Sequence, residues 1–171
     1  MKKDQNLNLT SRLLIGGIAG FVGTMAMTAA MRRLHRRLPA EERYPLTPRE
    51  IVDSGSKQLD VPLAGEAAKD VTVAAHFAYG AAMGAMIAAM NPDPGKRTGA
   101  AAGVAIWVAS YMGWIPVVGT LEPATKHPVR RNLLMIGVHL VWGSATAGAM
   151  RELRAARETI FRDGPDRDAP R

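Results

Sequence analysis

The chain has 171 residues, a net charge of +7 and no cysteine. This length has room for one domain of ordinary size. The absence of cysteine excludes disulfides, thiolate metal sites, iron–sulfur clusters and thiol catalysis. The positive charge is typical of some nucleic-acid-binding proteins, but here Lys and Arg crowd the ends of apolar stretches, where cations hold a spanning helix at the headgroup level. We therefore expect no nucleic-acid partner.

Four stretches contain no Asp, Glu, Lys or Arg, and each is long enough to cross a bilayer as a helix. They cover residues 13–31, 71–90, 98–121 and 132–150. A soluble bundle of Ala-rich helices is the alternative, but a soluble helix needs a polar face, and these stretches have none. The sequence predicts an all-α polytopic membrane protein whose four spans form a compact bundle within residues 1–150.

The first stretch has a second interpretation as a cleaved signal peptide, with Lys2 and Lys3 as its basic region. Its apolar part is longer than a usual signal core, and four arginines follow it in place of a cleavage site. Both features favour a first helix that is retained.

The polar segments predict three further elements. Within loop 32–70, Thr47-Pro-Arg-Glu50 has the form of a capping box with Pro at the first helical position, which predicts a short helix from about 48 to 59, on the membrane surface or over the bundle. The prolines and glycine of loop 91–97 predict a tight hairpin. Residues 151–171 predict a basic amphipathic extension of the fourth helix, with an apolar stripe at Leu153, Ala156 and Ile160, followed by a disordered tail from 163.

The second half of the chain repeats three landmarks of the first half in the same order. Two glycines four apart open the first and third spans, and a loop beginning Pro-Ala and ending in proline follows about twenty residues later. The second span then carries His76-Phe-Ala-Tyr79-Gly80, and the fourth carries His139-Leu-Val-Trp142-Gly143. The pattern predicts a duplication, with two helical hairpins of the same direction related by an axis along the membrane normal.

Small residues four apart lie on one helix face and let backbones approach closely in lipid. We predict that the helices pack through seven glycines at this spacing: Gly16, Gly20, Gly80, Gly84, Gly99, Gly103 and Gly143. The same motif also suits a homo-oligomer or contact with another membrane protein, and the sequence does not divide the faces between these uses. Pro116 is expected to kink the third span near its end.

His76 and His139 are predicted to lie about 8–11 Å inside the membrane at matching depth, which makes them a functional hypothesis. One interpretation is a shared metal centre, as in haem b proteins, with Gly80 and Gly143 opening space for the macrocycle. Zinc is another, and because a structural zinc site usually needs four ligands, it would have to recruit His35 and His127, or Glu122.

Two further interpretations of the histidines need no metal. They could form a proton relay or a substrate-contacting pair, or each could hydrogen-bond to a neighbouring helix and fix packing, while Tyr79 and Trp142 fill the bundle or face lipid. The sequence commits to no cofactor or metal.

Three of the cations in loops 32–70 and 122–131 lie near the repeated Pro-Ala motifs: Arg43, Lys126 and Arg131. One interpretation is a paired surface site in which they contact an anionic lipid headgroup or a partner. The other is that the prolines only shape the turns.

Enzyme signatures are poor. Ser54-Gly-Ser-Lys57 matches Ser-x-x-Lys without its companion motifs, and no phosphate-binding loop, zinc-protease helix or nucleophile elbow is present. We predict no enzymatic activity.

Segments 16–31, 43–45 and 130–143 resemble uncharacterised bacterial inner-membrane proteins, including the YagU-like group. The likeness covers the helices and two loops but not the tail, its most specific part is His139-Leu-Val-Trp142, and this chain is shorter than expected of YagU-like members. The resemblance implies a multi-span inner-membrane protein of unknown activity, and it supplies no catalytic residues.

The orientation in the membrane is poorly determined, because each side carries eleven Lys and Arg. The Arg-rich tail favours cytoplasmic termini. The sequence predicts a non-enzymatic component of the bacterial inner membrane, either an accessory scaffold or a small passage for a solute or proton. The alternative is a haem- or metal-binding membrane protein that uses His76 and His139.

Overall fold

The computed structural model describes residues 7–43 and 45–162, and within them the structure is helical. The helices, in chain order, are α1 Leu9–His35, α2 Thr47–Gln58, α3 Gly65–Met90, α4 Lys96–Ala109, α5 Ile115–Val117 and α6 Val129–Glu158. A π-helical segment, Ser110–Trp114, joins α4 to α5, and single 3-10 turns lie at Ala40–Glu42 and Ala124–Lys126.

Four of these elements are long and apolar enough to cross a membrane: α1, α3, the combined segment Lys96–Val117, and α6. In the most apolar 18 residues of each span, only 17–44% of the residues are buried inside the protein. Most of this apolar surface therefore faces outward. On α1 the outward face carries large side chains such as Leu14, Ile18 and Met25, each more than half exposed. Such a surface is stable in lipid rather than in water, and the four-span membrane fold predicted from the sequence is confirmed.

The spans pack side by side in the order α3, α1, α6, α4. α1 contacts both α3 and α6, and α6 contacts both α1 and α4, whereas α3 and α4 do not pack extensively against each other. Tyr79 of α3 and Ser110 of the third span nevertheless come within hydrogen-bonding distance, so the row curves and leaves a gap between its two outer helices. α2 packs on α3 at the end of the bundle where α1 ends and α6 begins.

Glycines form two close helix contacts, the first between α1 and α3. Gly16 and Gly20 of α1 face Gly80 and Gly84 of α3, so that a Cβ added to Gly20 would lie 2.2 Å from the carbonyl oxygen of Gly80. Backbone thus rests on backbone, as small residues four apart permit.

The contact between α4 and α6 is built in the same way. A Cβ added to Gly103 would lie 2.2 Å from the carbonyl oxygen of His139, and one added to Gly99 would lie 2.4 Å from that of Gly143. All seven glycines that the sequence marks for packing lie at these two contacts.

The helix of the third span is interrupted before Pro116, the residue at which the sequence predicts a kink. The backbone leaves helical geometry at Gly113, within the π-helical segment, and Pro116 lies in the short α5 that follows. A proline ring clashes with the carbonyl of the residue four positions earlier and offers it no N–H, so the preceding turn, which contains Gly113, takes up the distortion. The helical part of this span ends at Val117, although the charge-free stretch continues to 121.

α2 lies where the sequence predicts a short helix, but the predicted capping box does not form. Thr47 is the first helical residue, Leu46 occupies the N-cap, and no side chain caps the helix. Glu50 instead pairs with Arg131, the residue 81 positions later at the start of α6, at 2.6 Å. A long-range ion pair has replaced the local bond.

α6 continues past the apolar stretch to Glu158, as an extension of the fourth helix. Leu153 packs against the core, whereas Ile160 lies beyond the end of α6 and is exposed. The predicted disordered tail, residues 163–171, lies outside the described residues, as do residues 1–6 and Tyr44.

Candidate functional site

A cavity of about 230 Å³ lies in the gap between α3 and the third span. All four spans and α2 contribute to its wall, and His76 and His139 both line it. The other polar lining residues are Thr24, Thr47, Tyr79, Ser110, Tyr111, Trp114 and Trp142, and the apolar ones include Met27, Met31, Ile51, Met83, Ile106, Ile115 and Met135. No Asp, Glu, Lys or Arg of the described chain lines this cavity.

The helices bring the two histidines to corresponding positions. His76 lies eleven residues after the start of α3 and His139 ten residues after the start of α6, which at 1.5 Å per residue places them about 16 and 15 Å along their helices. Because α3 and α6 run in the same direction, both imidazoles reach the cavity at a similar level. The structure therefore brings together the pair that the sequence singles out.

His139 has a defined hydrogen-bonding arrangement. Its Nδ1 lies 2.7 Å from the carbonyl oxygen of Met135, one turn earlier on the same helix. A carbonyl oxygen can only accept, so Nδ1 carries the proton and donates. In the neutral ring Nε2 is consequently an acceptor, and no residue of the described chain donates to it.

His76 is less constrained. Its Nε2 is buried and has no hydrogen-bond partner among the described residues, while its ring stands edge-on to Phe77 with centroids 5.9 Å apart. Neither imidazole forms the cross-helix hydrogen bond that would make the pair a packing device, because His139 bonds within its own helix and His76 Nε2 has no partner among the described residues. A buried polar atom without a partner is costly, and a bound molecule would relieve that cost.

Tyr79 bridges the gap between α3 and the third span. Its hydroxyl lies 2.9 Å from the Ser110 hydroxyl, and its ring lies 6.2 Å from that of Trp114. Tyr79 and Trp114 are 37% and 40% exposed, so these two rings form the outer edge of the cavity, where it meets the lipid-facing surface. Tyr79 neither fills the bundle core nor simply faces lipid.

Trp142 is buried and holds two helices together. It is 3% exposed, and its indole N–H donates to the Thr24 hydroxyl at 3.2 Å, while that hydroxyl donates to the carbonyl of Gly20 at 2.8 Å. The chain of bonds ties α6 to α1 across the back of the cavity. The polar end of Trp142 is thus already occupied.

The remaining histidines do not join the pair. His127 stacks edge-on to Tyr111 with centroids 6.2 Å apart and lies 3.1 Å through Nε2 from the Glu122 carbonyl, and neither His127 nor His35 lines the cavity. Among the described residues no three His, Cys, Asp or Glu side chains come together as metal ligands. The ligand set that a zinc site would recruit is therefore not assembled here.

The three cations that the sequence groups as headgroup contacts have different surroundings. Arg43 donates to the carbonyl of Leu38, and Lys126 is exposed at 3.9 Å from Glu122. The Arg131 side chain is 1% exposed and forms an ion pair with Glu50. Contact with a lipid headgroup would require an exposed side chain, so Arg131 does not fit the predicted headgroup site.

Several residues at the cavity were not predicted from the sequence as site residues. Thr47, from α2, is 4% exposed and its hydroxyl has no partner among the described residues, and Ser110 and Tyr111 come from the interrupted third span. Two adjacent polar residues inside an apolar span are a usable signal for Ser110 and Tyr111. Thr47 gives no such signal, because it lies in a polar loop.

No family model, curated protein or solved structure matches this chain. The resemblance to the YagU-like group remains a prediction.

Proposed function

We propose that this chain is a non-enzymatic membrane protein that binds a small neutral molecule in the cavity between its spans, as the binding step of a solute passage. The observation that carries the proposal is that His76 and His139 line one cavity, and that Nε2 of each imidazole has no hydrogen-bond partner among the described residues. No charged side chain of the described residues lines this cavity. A scaffold would need neither the cavity nor these nitrogens.

The lining sets the charge of the ligand. An ion brought into a wall without a compensating charge loses its hydration and gains no partner, which costs many kcal/mol. A neutral molecule loses much less. The mainly apolar wall, with methionines from α1, α3 and α6, favours a ligand that is itself mostly apolar.

The volume sets the size of the ligand. A cavity of about 150 Å³ in another protein takes up benzene, and typical ligand pockets measure about 300–1,000 Å³. At about 230 Å³ this cavity suits one ring with a few further atoms.

His139 sets the polar group of the ligand. Because Nδ1 donates to Met135, the free Nε2 of the neutral ring accepts, and it is matched by a hydroxyl or N–H of the bound molecule. We therefore propose a neutral ligand with one apolar ring and one hydrogen-bond donor, entering from lipid past Tyr79 and Trp114.

Cyclohexanol and methylcyclohexane test this assignment, since they have nearly the same shape and differ by the donor. Detergent-solubilised protein is titrated with each, and the emission of Trp114 and Trp142 reports occupancy of the cavity. We expect cyclohexanol to bind up to about tenfold more tightly, the effect of one net hydrogen bond. In His139→Phe this preference is expected to disappear.

His127→Phe is the matched control, because it removes an imidazole outside the cavity. The proposal is wrong if the two probes bind equally to the unmodified protein, or if the His127 and His139 variants behave alike.

A metal or haem held by His76 and His139 is the second candidate, favoured by the presence of both side chains in one cavity. A haem is a larger ligand than this volume suits, so the helices would have to separate. An absorption spectrum and metal analysis of the purified protein decide between the two.

We also propose that the protein resides in the bacterial inner membrane with cytoplasmic termini, and that its two hairpins arose by duplication. The resemblance to the YagU-like group and the Arg-rich tail support the location. The matched use of Gly16 and Gly20 against α3, and of Gly99 and Gly103 against α6, supports the duplication.

A further inference from the structure

A shallow groove runs along the outer surface of the bundle, away from the cavity. Its walls are Val22 of α1 and Lys96 of α4, and its floor is a face of α6 that includes Leu140 and Gly148. No groove residue also lines the cavity, which receives a different face of α6. We name this surface the outer groove.

The outer groove changes from apolar to charged along its length. Val22 and Leu140 lie at the apolar end, while Lys96, Arg151 and Glu152 lie at the other end, where α4 begins. From Leu140 to Arg151 is eleven residues of helix, or about 16 Å. This length is close to half the hydrocarbon thickness of a bilayer, about 15 Å, so the groove spans one leaflet from headgroup level to midplane.

The charged end has cations that the protein does not use. Among the described residues neither Lys96 nor Arg151 takes part in an ion pair or hydrogen bond, and both are exposed. Nearby Arg154 is occupied, since it donates to the carbonyl of Pro92 at 2.8 Å and lies 3.6 Å from Asp93. Both cations that border the groove therefore have side chains without a partner among the described residues.

We infer that the outer groove binds one phospholipid whose headgroup carries both a phosphate and a protonated amine, of the phosphatidylethanolamine class. Lys96 and Arg151 hold the phosphate, and Glu152 receives the amine. An acyl chain lies along Leu140 and Val22. A purely anionic headgroup would leave the Glu152 carboxylate facing like charge, and a quaternary amine would offer it no hydrogen-bond donor.

Native mass spectrometry of the full chain, released from detergent with dioleoyl phosphatidylethanolamine, phosphatidylglycerol or phosphatidylcholine, tests this site. We expect one retained phosphatidylethanolamine, bound more tightly than the other two lipids. Lys96→Gln and Arg151→Gln are each expected to weaken that binding about fivefold. Glu152→Gln is expected to abolish the preference over phosphatidylglycerol.

Two matched controls separate a site from general attraction to the membrane surface. Arg97→Gln removes the same charge beside Lys96 but outside the groove, and it is expected to change nothing. Gly148→Leu fills the floor and should block binding, whereas Gly137→Leu on the same helix should not. A Cβ at either glycine meets no protein atom within 4 Å, so both variants are expected to fold.

Three results overturn the inference: tighter binding of phosphatidylglycerol by the unmodified protein, equal losses in the Lys96 and Arg97 variants, or unchanged binding in Gly148→Leu. None of these depends on the cavity, so the outcome leaves the proposed function to its own test.

Discussion

At the scale of single residues, the most consequential contact is the ion pair between Arg131 and Glu50. The guanidinium is 1% exposed, lies 2.6 Å from the Glu50 carboxylate, and also donates to the carbonyl of Pro45 at 3.2 Å. A charge this deeply buried depends on its partner. The pair fixes α2 to the start of α6, and α2 supplies the end wall of the cavity through Thr47 and Ile51.

Removing the carboxylate from this pair should destabilise the protein strongly. Glu50→Ala removes the carboxylate that lies 2.6 Å from this buried cation, and we expect the free energy of unfolding to fall by about 3 kcal/mol. Glu66→Ala is the control, since the Glu66–Lys69 pair is mostly exposed and should contribute less than about 1 kcal/mol. Unfolding in mixed micelles with increasing sodium dodecyl sulfate measures both, and equal losses would show that the buried pair does not hold α2.

The role of a residue can be predicted from the sequence when it depends on nearby residues, and it cannot when it depends on a distant partner. His76 and His139 stand out because each is an ionisable group in an apolar span with a repeat-related counterpart. The burial of Arg131 could not be predicted, because its partner lies 81 residues away and Arg131 has the sequence context of an ordinary interfacial cation. The headgroup hypothesis treated it as one.

At the scale of helices, packing depends on the direct approach of backbones. Gly20 faces the carbonyl of Gly80 so closely that even a methyl group would separate α1 from α3, whereas Gly17, on the same helix, has its nearest neighbour 3.9 Å from an added Cβ. The two glycines thus have the same helical context and opposite packing environments.

These environments predict opposite effects of one substitution. Gly20→Ala should lower the free energy of unfolding by about 1–3 kcal/mol, because α1 and α3 must move apart. Gly17→Ala should raise it by up to about 1 kcal/mol, because alanine favours a helix and meets no clash. The same detergent unfolding assay compares them, and a Gly20 variant at least as stable as the Gly17 variant would contradict this account of packing.

Helix positions are predictable here, and helix ends are less so. Charge-free runs mark the part of each helix that lies in lipid, but α1 and α6 continue beyond those runs because a helix has no reason to stop where the hydrocarbon does. The distortion at Gly113 precedes Pro116 for the reason given above, that proline acts on the turn before it. The capping box at Thr47 failed because a long-range partner outcompeted the local bond.

At the scale of the whole molecule, four spans place the start of α1, the end of α6, the hairpin between α3 and α4, and the outer groove's charged end on one side of the membrane. α2 and the loop before α6 lie on the other side. With eleven Lys and Arg on each side, the positive-inside rule does not choose between the two orientations, and the proposal of cytoplasmic termini depends on the tail.

The absence of cysteine makes this proposal directly testable, since any cysteine introduced is the only one. Gln58→Cys in α2 and Asn91→Cys after α3 lie on opposite sides, and neither changes the balance of charge. A charged maleimide cannot cross the hydrocarbon layer, so in cells with a permeabilised outer membrane we expect it to label position 58, and to label position 91 only after lysis. The reverse pattern would retain the four spans and invert the orientation. Equal labelling of both positions before lysis would contradict the membrane-spanning fold itself, because nothing would then separate the two ends of α3.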